Sequence, residues 1–179
     1  TVVVLSRPVN RVRRDAAAQG IAVKSMPDIR WGRCDIKTVM LLPASLAKEK
    51  AKAAGAKEAW LVDDKGFVTE GASSNAWIVD AQGRLVTRPV DNDILRGVTR
   101  TTLIDVARMH QIEVVERAFT VEEAKAAREA FITAATNVVM PVVKIDGAQV
   151  ADGRPGPVSR RLRQAFHAVA QTAERPEHG

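Results

Sequence analysis

Four short segments of this 179-residue chain combine residue types that could do chemistry. In RWGRCDIKTVMLLPASLAKEK (30–50), Lys37 ends a polar run and stands directly ahead of an apolar one. A lysine amine is a nucleophile only when partly unprotonated, which takes desolvation or a nearby positive charge, here Arg30 or Arg33. In TEGASSN (69–75), Glu70 is expected just after a strand and ahead of Gly71, where a carboxylate beside a pocket could keep a cationic ring nitrogen protonated. The plainer alternative is a solvated turn glutamate. In LRGVTRTT (95–102), Gly97 precedes a helix whose first turn carries Thr99, Thr101 and Thr102, so free amides and the positive end of the helix favour an anion such as phosphate. Ordinary N-capping by threonine is the competing account. In TAATN (133–137), small residues would let backbone amides approach a ligand, or would simply make a tight bend. An amine for an aldehyde, a carboxylate for a pyridinium nitrogen and a seat for phosphate are together what pyridoxal phosphate requires.

These segments must be positioned by a mixture of strands and helices. TVVVL reads as a strand, NRVRRDAAAQG as a short helix closed by Gly20, and IAVKSM as a strand broken by Pro27. LPASLAKEKAKAAGA (42–56) has helical composition, with Pro43 near its start, Ser45 as a cap and Gly55 as a stop. EAWLVDD is a strand that turns at DDKG, and AWIVD and RLVTRP form a hairpin about AQG. The helix after Gly97 carries Leu103, Val106 and Ala107 at helical spacing. IEVVERAFT is a strand, TVEEAKAARE a helix with a Thr120/Glu123 capping box, and AFITAATN, VVMPVVKI and DGAQVAD are further strands. The last helix, PVSRRLRQAFHAVAQTAE, gathers Val158, Leu162, Phe166 and Val169 on one side, and ERPEHG reads as a frayed tail. Several hairpins in this order imply a largely antiparallel or mixed sheet and exclude a simple Rossmann arrangement.

The composition narrows the classes of function. Apolar residues make up 46% and charged residues 27%, and no apolar run approaches membrane-spanning length, so a soluble globular protein without a membrane partner is expected. The single cysteine, Cys34, fits a reducing compartment, with the cytoplasm as default. A net charge of +6 invites a nucleic-acid reading, but the bases are spread along the chain among acids. Aromatics are only 4%, so stacking platforms for bases are scarce and no nucleic-acid partner is expected. No set of metal ligands stands out. The opening TVVVLSRP, without an initiator methionine, reads as starting mid-protein.

RCDIKTVMLLPASLAKEKA, TEGASSNAWIV, ILRGVTR and FITAATNVVMPV, in that order, resemble the D-amino acid transaminase branch of the class IV, fold type IV, pyridoxal phosphate enzymes. The resemblance spans essentially the whole chain, and the RCDIK form is closer to D-alanine transaminase than to the branched-chain enzymes. It implies an α+β fold with largely antiparallel or mixed sheets, in which residues 1–171 are the large C-terminal cofactor-binding domain and 172–179 a flexible tail. Lys37 would bond to the cofactor aldehyde and, once displaced by substrate, carry the proton between substrate and cofactor carbons. Glu70 would hold the ring nitrogen, Val98 and Thr99 the phosphate, Leu95 the ring face, and Arg30 would lie near the ring hydroxyl. Where D-alanine enzymes carry hydroxyl residues in the TAAT segment, this chain has Ala134 and Ala135, leaving backbone amides or Thr136 for the phosphate.

The activity so implied is ping-pong exchange of an amino group between a D-amino acid and a 2-oxo acid by a homodimer. In the family a smaller N-terminal domain supplies a phosphate-binding arginine and the groups for the substrate carboxylate, and that domain is absent from these residues. The rivals are another class IV chemistry (branched-chain L-amino acid or R-amine transaminase, or aminodeoxychorismate lyase) and a non-catalytic binding domain on the same fold.

Overall fold

The structure is a computed structural model that describes residues 12–172. The expected first strand, TVVVL, and the tail beyond residue 172 lie outside the described residues. Helix α1 (Val12–Gln19) ends at Gly20, whose φ of +76° and amide bond back to Ala16 O make a left-handed stop. Strand β1 (Ile21–Pro27) runs through Pro27 rather than breaking before it. After a long connection come α2 (Leu42–Ala53), β2 (Glu58–Val62), β3 (Val68–Gly71), β4 (Asn75–Val79) and β5 (Leu85–Thr87). Ser45 is not the cap of α2, because Leu41 takes that place and Pro43 falls in the first turn, where a missing N–H costs nothing.

Helix α3 (Val98–Met109) then precedes β6 (Val114–Glu116). The predicted strand IEVVERAFT shrinks to those three residues because its second half turns away to meet Phe67 through a single bridge at Thr120. Helix α4 (Val121–Ala126) is capped by Thr120, whose hydroxyl accepts from Glu123 N at 3.1 Å, as the capping box required. The chain closes with β7 (Glu129–Ala134), β8 (Val138–Ile145), β9 (Ala148–Gln149) and α5 (Pro157–Thr172).

Among the described residues the strands form one mixed sheet in the order β3-β2-β1-β8-β7-β4-β5-β6, with β9 on β8. Pairs β1/β2, β1/β8 and β5/β6 are parallel, and the others antiparallel. Both faces are covered around β4, so β4 and β5 bury every residue and β7 all but its last instead of alternating with water. Along β4, Ala76 and Ile78 join a core with Trp60, Phe119 and Ile132, while Trp77 and Val79 face Leu103 and Leu162 of α3 and α5. Trp77 stacks on Phe131 with centroids 5.7 Å apart, and Trp60 meets Phe119 edge-on at 6.0 Å. The apolar side of α5 packs as expected through Val158, Leu162 and Phe166, whereas Val169 stays exposed. This is the α+β architecture with a mixed sheet that the sequence implied.

A second feature was not foreseen. α2 buries only alanines, Ala47 and Ala51, against β2, and Leu42 and Leu46 point outward. Together with Ile36, Val39, Met40 and Leu41 they form an exposed apolar run; Val39 is 96% exposed.

Candidate active site

Glu70 lies inside β3, not in a turn after it, and that changes its environment. The turn between β3 and β4 closes tightly, with Gly71 N donating to Ser74 O at 2.6 Å. A Cβ on Gly71 would sit 2.1 Å from Ser74 Oγ, so only glycine fits there. The Glu70 carboxylate is thereby turned into the protein, where it accepts from Arg30 Nη1 at 2.5 Å and from Asn75 Nδ2 at 3.0 Å. Leu95 N reaches both carboxylate oxygens at 3.2 Å. Burial pushes the Glu70 carboxyl up to about 7, outweighing the opposing pull of Arg30. The solvated-turn alternative is excluded, and a cationic partner would draw this group back to the ionised form.

The connection between β1 and α2 carries Arg30, Arg33 and Lys37. It is pinned at its start, where Asp28 N donates to Val62 O at 2.7 Å, and again where Cys34 N donates to Asn92 O at 2.7 Å. Arg30 is largely buried and grips Asp28 through Nε (2.9 Å) and Nη2 (2.7 Å), with Nη2 also donating to Asp93 O at 2.8 Å. Arg33 is spent on Asp35 at 2.9 and 2.8 Å. Lys37 itself is exposed. Both arginines expected to stand near it are paired with carboxylates among the described residues.

A third piece is the 88–97 connection. Arg88 holds it in shape by binding Asp63 (2.9 Å), Asp91 (3.1 Å) and Asp93 (2.6 Å) at once. It ends at Gly97, the cap residue of α3, which has no side chain to offer the first-turn amides. Threonine capping is excluded: the hydroxyls of Thr101 and Thr102 donate back to Gly97 O and Val98 O, and Thr99 is buried. Val98 is exposed. A Cβ on Gly97 would fall 2.2 Å from Asn75 Oδ1. Gly97→Ala is therefore expected to displace Asn75 and lower stability by about 1–3 kcal/mol, as overpacking does, read as a lowered denaturant midpoint.

The fourth segment is the turn between β7 and β8. Ala134 ends β7, Ala135 and Thr136 are exposed, and Asn137 N closes the turn on Ala134 O at 3.1 Å. Val138 takes φ +57°, rare for a β-branched residue, which lets the chain reverse at once. Arg163 of α5 clamps both sides, donating to Asn137 O at 2.5 Å and Val139 O at 2.6 Å. The tight bend is real, and it presents small residues at the end of the sheet that Glu70 shares.

Asn75 joins these parts. Its amide donates to Glu70 on β3 and to Leu95 O in the connection before α3 (2.9 Å), its residue pairs with Thr133 at the end of β7, and it packs on Gly97. Glu70, Leu95, the start of α3 and the β7–β8 turn are thus brought to one end of the sheet, and Arg30 comes to the same place from the β1–α2 connection. The sequence reading passed over Asn75, although it closes the quoted TEGASSN segment, and also passed over Asp28 and Arg163. Asp28, two residues before Arg30, was the detectable one, because an acid beside a largely buried arginine is its natural partner. Arg163 carried no signal, since its partners are backbone carbonyls of another element.

The fold and this arrangement define a class of protein. The family described as class IV amino-transferase matches residues 1–145, and the chain belongs to it. Within it, D-alanine aminotransferase of Staphylococcus haemolyticus is 44% identical over 159 residues, 88% of this chain and 55% of that protein. The D-alanine aminotransferase of Listeria monocytogenes is 43% identical over 161 residues, 90% and 55%. The chain thus spans about half the length of these relatives. Among solved structures, the branched-chain amino acid aminotransferase of Escherichia coli superposes with a TM-score of 0.73 at 30% identity, covering 90% of this chain and 56% of that one. That of Thermobaculum terrenum, in its PLP form, gives 0.82 at 26% identity, covering 94% and 56%. Among the described residues no helix is long and apolar enough to cross a membrane, and no group of three or more His, Cys, Asp or Glu is placed to hold a metal ion.

Proposed function

We propose that the complete protein transfers an amino group between a D-amino acid such as D-alanine and a 2-oxo acid such as 2-oxoglutarate, using pyridoxal 5′-phosphate. In this reading residues 1–171 are its cofactor-binding domain. The observation that carries it is the buried Glu70 carboxylate set at one end of the sheet beside an uncapped helix start, in a chain 44% identical to a D-alanine aminotransferase. The donor set fits the cofactor. Glu70 is an acceptor for a protonated ring nitrogen, already braced by Asn75 and Leu95 N, and its high intrinsic proton affinity matches a partner that brings a proton. The amides of Val98 and Thr99 at the start of α3, with the Thr99 hydroxyl, would take the phosphate, and the small residues of the β7–β8 turn leave room for it. Leu95, fixed through its backbone to Glu70 and Asn75, would lie against the ring face. Ala134 and Ala135 would contribute backbone amides only, beside Thr136, and Arg30 would stand at the ring hydroxyl.

When bound, the cofactor supplies an electron sink for the substrate carbon's electrons. Lys37 would be the residue that holds the cofactor at rest, and its Nζ would be the group that carries the proton. Its exposure on the described chain means that desolvation must come from the cofactor and the rest of the protein. The exposed apolar run from Ile36 to Leu46 supports that arrangement, because such a patch beside a working lysine calls for cover. The same run supports a homodimer, and free Cys34 a reducing, cytoplasmic setting. The solved branched-chain enzymes keep a second reading alive, transamination of branched-chain L-amino acids. Assay of the complete protein with D-alanine, L-leucine and 2-oxoglutarate separates the two: D-alanine is expected to be consumed faster by about 100-fold, and preference for L-leucine would overturn the proposal.

A further inference from the structure

Two carboxylates share one guanidinium at this site, and they do so unequally. Arg30 presents its Nε–Nη2 edge to Asp28 in a two-point fork, at 2.9 and 2.7 Å, and only Nη1 to Glu70. A guanidinium is planar, so fixing one edge fixes the direction of the remaining nitrogen. Asp28 is itself held: its amide donates to Val62 O at 2.7 Å, and its Oδ2 accepts from Thr69 Oγ1 at 2.7 Å. Thr69 also accepts from Arg30 Nη2 at 3.3 Å and precedes Glu70 in β3, so clamp and target are rooted in one strand. All three charged side chains are largely buried, at 11, 13 and 7% exposure for Asp28, Arg30 and Glu70.

We propose that Asp28 is a positioning residue, which keeps Arg30 aimed at Glu70 and so sets how readily that carboxylate gives up its proton. This deepens the transaminase reading, because Glu70 is the group assigned there to the ring nitrogen, but the clamp belongs to the chain alone. Two effects of Asp28 on Glu70 have opposite signs. Its negative charge by itself resists ionisation of Glu70, whereas its hold on Arg30 favours it. The other groups facing Glu70 are the neutral donors Asn75 and Leu95 N. Cys34 feels Glu70 across the β1–α2 connection, and Asp93 has its carboxylate turned to Arg88.

The sign decides the matter. In the complete, cofactor-free protein labelled with ¹³C at glutamate side chains, the Glu70 signal is identified by its loss in Glu70→Gln and titrated by NMR. Asp28→Asn removes a negative charge and the clamp together. The expected result is a midpoint higher by about 1 pH unit, the effect of a loosened arginine. A midpoint that falls or does not move overturns the proposal, since Asp28 would then act through its charge alone or not at all. Should Asp28→Asn not fold, Thr69→Val makes the same test without changing any charge: it takes the Thr69 hydroxyl away from both Asp28 Oδ2 and Arg30 Nη2 and so loosens the clamp, and a rise of about half a unit is expected. No rise there overturns the proposal equally. Because no cofactor or substrate is present, failure of the transaminase reading would leave this titration unaffected, and the two are judged separately.

Discussion

On the transaminase reading, Lys37→Ala in the complete protein is expected to lower the rate of transamination by about 10⁴-fold or more, because one amine would both hold the cofactor and move the proton, and groups that act as a unit are lost together. The fold should survive. Lys37 is exposed on a connection whose shape comes from other residues, namely Asp28 N on Val62 O, Cys34 N on Asn92 O and Arg30 on Asp93 O, so its removal should change stability by less than about 0.5 kcal/mol. Lys37→Arg should fail equally, since a guanidinium does not lose its proton at working pH. Borohydride reduction of the cofactor-loaded protein followed by peptide mapping supplies the direct check. The cofactor should be fixed to the peptide that contains Lys37, and turnover retained by the alanine variant, or label on another lysine, would remove the assignment.

If Glu70 holds the ring nitrogen as proposed, Glu70→Gln is expected to reduce turnover by about 10²–10³-fold, the cost typical of losing one preorganised electrostatic partner, because an amide cannot hold a positive charge there. The same variant has a signature in stability that needs no substrate. The Glu70 carboxyl is raised in the folded chain from 4.5 to about 7 by burial, which Arg30 only partly offsets. Below pH 4.5 both folded and unfolded chains hold the proton, and the group contributes nothing. Between 4.5 and 7 the unfolded chain releases it while the folded chain keeps it, so stability falls as pH rises, by on the order of 3 kcal/mol across that window, and stays lower above it. Asp28 works with the opposite sign and elsewhere. Burial raises its carboxyl, but the bonds from Arg30 and Thr69 outweigh that and leave it below 3.8. Its contribution is therefore present above 3.8 and is lost as pH falls through its lower folded value. Denaturant unfolding of the cofactor-free protein from pH 4.5 to 7 should show the decline in the parent and a flatter profile in Glu70→Gln. Equal slopes would mean that Glu70 is not held neutral by burial.

The local elements were legible in the residue order, and so were the residues whose types suit the proposed chemistry. Helices α2, α3, α4 and α5 follow from spacing and stops, with a correctly read cap only at α4, and the lysine, the carboxylate and the glycine before α3 could be picked out because their types suit an aldehyde, a ring nitrogen and a phosphate. Ordered motifs of that kind also carried the family, since RCDIK, EGASSN, RGVTR and TAATN are contiguous stretches whose identity does not depend on what they touch. Only the tertiary structure decided how those parts meet. The sheet order β3-β2-β1-β8-β7-β4 brings residues 40 positions apart into contact, as Arg30 and Glu70 show, and no periodicity along the chain encodes which strands become neighbours. It made Glu70 a buried strand residue instead of a turn, turned Asn75 into the joint between three elements, and gave Arg30 to Asp28 and Glu70 when the sequence had offered it to Lys37. The physical reason is that a propensity is a property of neighbours along the chain, whereas burial, and with it the charge a carboxylate carries, is a property of what the folded sheet sets against it.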